Sequence, residues 1–118
     1  MKMVHVTIYT GCLEDSIKFY KDVVGLNVQN DFREFGGNIV FLAKDKGDTQ
    51  VELIDDPQKA YKGSGISMGF HVDDVEAKRE ELIAKGLHVT PIIAPNPHAK
   101  FFFVLRVLEI FKNLLDKH

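Results

Sequence analysis

Apolar residues surround a lone histidine in "MVHVTIYT" at 3–10, a short β-branched run that predicts a strand. Leu13, Ile17, Tyr20 and Val24 then recur at helical spacing through "LEDSIKFYKDVVG", and Gly25 supplies a C-terminal stop. Three further strands are predicted in "LNVQNDFREF", "NIVFLAK" and "TQVELI", separated by Gly36-Gly37 and by "KDKGD". A polar stretch, "DDPQKAYKGSG", interrupts the pattern, and the order then begins again. "ISMGFHV" reads as a strand, and "DDVEAKREELIAKG" as a helix with an Asp cap and a terminal Gly. "LHVTPII" reads as a strand, "APNPHAK" as a Pro-rich loop and "FFFV" as a strand. The tail "LRVLEIFKNLLDKH" is ambiguous, because Val104, Val107, Leu108, Phe111 and Leu115 also suit one helix face.

This repetition is the strongest signal in the chain. Leu13-Glu14 corresponds to Val75-Glu76, and Gly25-Leu26-Asn27-Val28 to Gly86-Leu87-His88-Val89. "NIVFL" corresponds to "KFFFV", and "VEL" at 51–53 to "LEI" at 108–110. The expected organisation is an α+β fold of two βαβββ modules, residues 1–56 and 65–118, joined by a linker at 57–64 within one compact domain. Neither half buries both of its faces alone, so the two are expected to pair.

The repeat also orders the chemistry. His5 and His71 both stand in apolar runs, as do Glu52 and Glu109. Counted back from the helix starts, His5 corresponds to Ser67, not to His71, and Glu52 corresponds to Glu109. On a strand, positions 67 and 71 would share a face but lie ~13 Å apart. An ion bonded at ~2 Å to His5 does not reach that far. His71 is therefore expected to line a cavity further along, or to cap a strand end near Asp73. The plainer alternative for the glutamates is that they face solvent or pair with Arg33 or Arg106.

Composition narrows the classes. At 118 residues, 45% hydrophobic and 27% charged, the chain has the make-up of a globular domain. A net charge of −2 gives no electrostatic case for nucleic acid or an anionic membrane surface. No apolar run approaches the ~18 residues of a membrane span, and the start does not read as a signal peptide. A single cysteine, Cys12, forms no internal disulfide, which makes a reducing cytoplasm the expected compartment.

"HVTIYTGCLEDSIKFYKDVVGLNV" and "GFHVDDVEAKREELIAKGLHV" resemble the openings of the two modules of the vicinal oxygen chelate superfamily. That group holds glyoxalase I (lactoylglutathione lyase), methylmalonyl-CoA epimerase, extradiol dioxygenases, and fosfomycin and bleomycin resistance proteins. The resemblance covers nearly the whole chain, and "L-x-x-S-I-x-F-Y" at 13–20 is its most specific stretch. It implies an open cup formed by the two modules' sheets. It also implies one metal ligand from each of four strands: His5, Glu52 and Glu109 match three of them, and Ser67 stands where a second histidine is usual.

The implied cofactor is a divalent ion, Mg, Mn, Co, Ni or Zn, with glutathione or another thiol as co-substrate. The implied reaction is a glyoxalase-type lyase or isomerase step on a small α-oxygenated substrate. It moves a proton through an enediolate, with Glu109 or Glu52 as the base. Ser67, Tyr9, His71 and Phe103 are the candidate substrate contacts. The alternatives are a non-catalytic small-molecule binder of the bleomycin-resistance type, or an epimerase of the methylmalonyl-CoA type. Members of the group commonly pair as homodimers, and the same is expected here. One departure stands out: only "LRVL" separates Val104 from Glu109, where the family usually has a turn. Either a segment is missing there or the end of the fold is remodelled, and a helical tail would remove Glu109 from the site.

Overall fold

The structure is a computed structural model that describes residues 1–63 and 66–105. It divides into two compact units, Met1–Tyr61 and Lys62–His118. The fold is mixed α+β.

The first unit runs β1 (His5–Thr10), α1 (Leu13–Phe19), β2 (Asn27–Asp31), β3 (Ile39–Ala43) and β4 (Gln50–Asp55). Its sheet has the order β1-β4-β3-β2, with β1 parallel to β4 and the other pairs antiparallel. Side chains alternate across the sheet, and that alternation separates a core from a site. Ile8, Thr10, Val40, Leu42, Val51 and Leu53 are buried on one face. The helix α1 packs against β4 and contributes buried Leu13, Ser16 and Ile17. The hydroxyls of Thr10 and Ser16 meet at 2.9 Å within that core.

After α1 the chain widens into one π-helical turn, Tyr20–Val24, with the Tyr20 side chain fully buried. Gly25 ends it at φ 89°, a left-handed conformation that any Cβ would strain. A bulge at Gln29 breaks the β2–β3 register, and β2 stops at Asp31. There the Asp31 carboxylate caps a short 3₁₀ turn, Phe32–Phe35, by accepting from Arg33 N at 3.0 Å. The run "LNVQNDFREF", expected as one strand, is thus strand then turn. The Asp31 side chain takes it out of the sheet by offering the backbone a closer partner.

In the second unit α2 spans Val75–Ala84. Asp74 caps it, accepting from Ala77 N at 2.9 Å, and Leu82 is its buried anchor. Among the described residues four short strands follow: β5 (His88–Val89), β6 (Ile93–Asn96), β7 (Ala99–Phe101) and β8 (Val104–Leu105). They pair antiparallel as β5–β8 and β6–β7. Arg79 Nε donates to Thr90 O at 2.9 Å and Lys100 Nζ to Glu76 Oε2 at 2.7 Å, fastening α2 to the segment after β5 and to β7.

Expectations for four stretches of this unit change. "ISMGFHV" at 66–72 joins no sheet among the described residues. Its alternation is incomplete: Met68 and Val72 are half-buried but Ile66 and Phe70 are exposed, and Gly69 weakens the middle. "APNPHAK" is no loop but the centre of the β6–β7 hairpin, since proline is tolerated in short edge strands. "LHVTPII" and "FFFV" are each cut by non-strand residues: Thr90–Ile92 separate β5 from β6, and Phe102-Phe103 separate β7 from β8. Val104, a candidate for a helix face, pairs with Val89 in a strand. The rest of the ambiguous tail lies outside the described residues.

Candidate functional site

The face of the first-unit sheet opposite α1 carries the chemistry. In the ladder, His5 lies beside Gln50, Thr7 beside Glu52 and Tyr9 beside Ile54. Across β4, Phe41 lies beside Glu52. Strand parity therefore puts His5, Thr7, Tyr9, Gln50, Glu52 and Phe41 on one side.

Glu52 is the centre of this face. Its side chain is 12% exposed, against 41% for His5. A carboxylate so placed needs partners, and it has two. Thr7 Oγ1 donates to Glu52 Oε1 at 2.5 Å, and His5 Nε2 stands 3.4 Å from the same oxygen. The His5 ring meets Phe41 edge-on, with centroids 5.8 Å apart, and Phe41 in turn meets Phe32 at 6.1 Å. These edge-on contacts set the orientation of the imidazole beside the carboxylate. Arg33, weighed from sequence as a partner for Glu52, is engaged elsewhere. It donates to Asp31 through Nε at 2.9 Å and Nη2 at 2.6 Å, and Nη1 reaches Glu14. Those contacts hold the Asp31 carboxyl below the usual carboxylate range and push the Arg33 guanidinium up.

Among the described residues, one buried side-chain polar atom lacks a partner, and it belongs to a residue of this face. Gln50 Oε1 is buried and accepts no hydrogen bond. Leaving an acceptor in that state costs about 1–3 kcal/mol.

The donor chemistry suits a divalent ion. Two ligands bonded at ~2.1 Å to one tetrahedral ion lie ~3.4 Å apart, which matches the gap between His5 Nε2 and Glu52 Oε1. An imidazole and a carboxylate are hard-to-borderline donors, and Thr7 is the kind of outer partner that orients a ligating carboxylate. Among the described residues no group of three or more His, Cys, Asp or Glu side chains gathers around a point. Glu109, expected as base and ligand, lies outside the described residues.

The other candidates are placed as follows. Tyr9 shares the open face, with Lys59 Nζ 5.4 Å from its ring centroid. Ser67, His71 and Phe103 belong to the second unit. His71 is exposed, and its Nε2 is 3.9 Å from Asp73 Oδ1, next to the cap of α2. The ~13 Å argument separating positions 67 and 71 required a strand there, and that strand does not form. Phe103 is half-buried against Phe101, 5.7 Å between centroids, and its N–H donates to Thr90 Oγ1. Cys12 Sγ donates to Asp15 Oδ2 at 3.1 Å, and that bond pushes the thiol up, away from reactivity. Thr7 and Gln50 were not anticipated. The signal for both was plain parity, each being two residues from a candidate ligand on the same strand.

Comparison with known proteins gives the family of the chain. The curated lactoylglutathione lyase of Haemophilus influenzae is 29% identical to the chain, over 80% of this chain and 76% of its own length. Among solved structures, TnmS3, an antibiotic binding protein from Streptomyces sp. CB03234, matches with a TM-score of 0.73 at 19% identity, covering 98% of this chain and 91% of that one. The trypanothione-dependent glyoxalase I of Leishmania major matches with a TM-score of 0.59 at 25% identity, covering 91% and 80%. The model of the glyoxalase/bleomycin resistance protein/dioxygenase superfamily matches residues 2–115, and the chain belongs to that superfamily.

Proposed function

We propose that the chain is a glyoxalase-type lyase or isomerase that moves a proton between adjacent carbons of a small α-oxygenated substrate. The observation that carries this reading is the pairing of His5 and Glu52 on neighbouring parallel strands, 3.4 Å apart on the open face. The lactoylglutathione lyase relative supports it. His5 and Glu52 are the residues that would hold a divalent ion, which supplies Lewis-acid polarisation of substrate oxygens when bound.

The chain's own groups do the rest. Glu52 is the proton carrier: its carboxylate is part-buried, so a proton taken there stays out of bulk water. Thr7 fixes one oxygen of that carboxylate and so fixes the direction of transfer. Phe41 meets the His5 ring edge-on and holds it beside the carboxylate. Glu109 is the second candidate base. A thiol adduct such as that of glutathione with methylglyoxal is the substrate class of first choice.

The test is formation of lactoylglutathione from methylglyoxal and glutathione with Ni²⁺, Co²⁺, Mn²⁺, Mg²⁺ or Zn²⁺ added in turn. Turnover that a chelator abolishes and that Glu52→Gln loses is the expected result. No turnover with any ion would overturn the reading.

A second reading has its own support. Tyr9, Phe41, Phe32 and the His5 ring form an aromatic side of the open face, and the fold neighbour TnmS3 is an antibiotic binding protein. A binder without turnover would retain an aromatic ligand in the presence of chelator.

A further inference from the structure

We propose that Gln50 is a third donor of the site, its carboxamide oxygen joining His5 Nε2 and the Glu52 carboxylate around one divalent ion. The inference rests on the metal-dependent reading above. Gln50 Oε1 is buried and has no hydrogen-bond partner among the described residues. Native proteins rarely leave such an acceptor unmet, and an ion or its water is one of the few explanations open to it.

Its position is set by the sheet. Gln50 is the ladder partner of His5 on the neighbouring parallel strand, and it precedes Glu52 by two on the same strand face. Its backbone is pinned, with Gln50 N donating to Val4 O at 2.9 Å, so the side chain starts from a fixed point. The terminal carboxamide torsion is broad, so reorienting the oxygen requires no backbone movement. The three donors come from two adjacent strands of one unit. The cluster is inconspicuous because its third member is an amide, not a His, Cys, Asp or Glu. A neutral carbonyl oxygen is a hard donor that needs no deprotonation, as amide carbonyls are in other divalent-ion sites.

The set carries one formal negative charge, from Glu52. Replacing the amide by a second carboxylate keeps the donor atom and adds charge. Replacing it by leucine removes the donor and also the unmet acceptor. These two substitutions therefore separate ligation from packing.

Co²⁺ is the probe, added to the full chain and followed by calorimetry and by the visible absorption of the bound ion. Gln50→Leu is expected to weaken Co²⁺ by roughly tenfold or more and to change the absorption band. Its metal-free thermal midpoint should stay level or rise, because the unmet acceptor is gone. Gln50→Glu is expected to bind Co²⁺ at least as tightly as the parent chain. Wild-type affinity and an unchanged band in Gln50→Leu, with binding abolished in His5→Ala, would overturn the role of Gln50 and leave the metal-dependent reading standing. No Co²⁺ binding by the parent chain would overturn both.

Discussion

Replacing Thr7 by valine keeps the shape of the side chain and removes one hydroxyl. That hydroxyl donates to Glu52 Oε1 at 2.5 Å, on a carboxylate only 12% exposed, so water does not readily take its place. A hydrogen bond to a charged group contributes about 1.5–3 kcal/mol. Loss of an outer partner that orients a ligand typically lowers metal affinity about 10–100-fold, and each tenfold step is about 1.4 kcal/mol. The two scales agree, so Thr7→Val is expected to weaken a divalent ion by one to two orders of magnitude. Calorimetric titration with Mn²⁺ or Zn²⁺ reads this directly. Thr7→Ser, which retains the hydroxyl, should stay near the parent value. If Thr7→Val binds the ion as the parent does, Thr7 does not orient Glu52 for ligation and the account of the site is wrong at that point.

Leu53 is fully buried between β1 and β3, and Leu53→Ala is expected to cost about 2–5 kcal/mol in urea unfolding; a smaller loss would show that this core collapses around the gap. The Asp31 carboxyl sits below its usual range because of Arg33. Its folded pKa is thus below the unfolded one, so its contribution is complete above the ordinary carboxylate range and is lost as pH falls through the folded value. Asp31→Asn is expected to flatten the acid limb of stability against pH, and an unchanged limb would count against the Arg33 clasp. Sedimentation at micromolar concentration is expected to give a homodimer, since β1 and β2 edge the first-unit sheet and Met3, Val4 and Phe35 are exposed; a monomer would contradict this.

How much the sequence revealed depended on how local the determining physics was. The first unit was legible because its signals agree: β-branched alternation in "VHVTIYT", helical spacing from Leu13 to Tyr20, and glycine where the chain needs φ 89°. Parity put His5 and Glu52 each on the open face of its own strand, the resemblance joined them in one set, and the long-range β1–β4 pairing brings them together. The stretch 66–72 has similar local propensity but does not become a strand, because strand formation depends on neighbours that propensity does not describe. Pro95 and Pro97 disguised a hairpin as a loop. Thr7 and Gln50 were overlooked because a hydroxyl and an amide announce nothing by type; their roles come from what stands beside them in the ladder.

The central claim is that His5 and Glu52, and not His71, mark the reactive centre. Metal titration of the parent chain, His5→Ala and His71→Ala, purified without chelator, tests it most directly. The account predicts that the parent and His71→Ala each bind one divalent ion per chain, and that His5→Ala binds none. Retention of the ion by His5→Ala together with its loss in His71→Ala would contradict it.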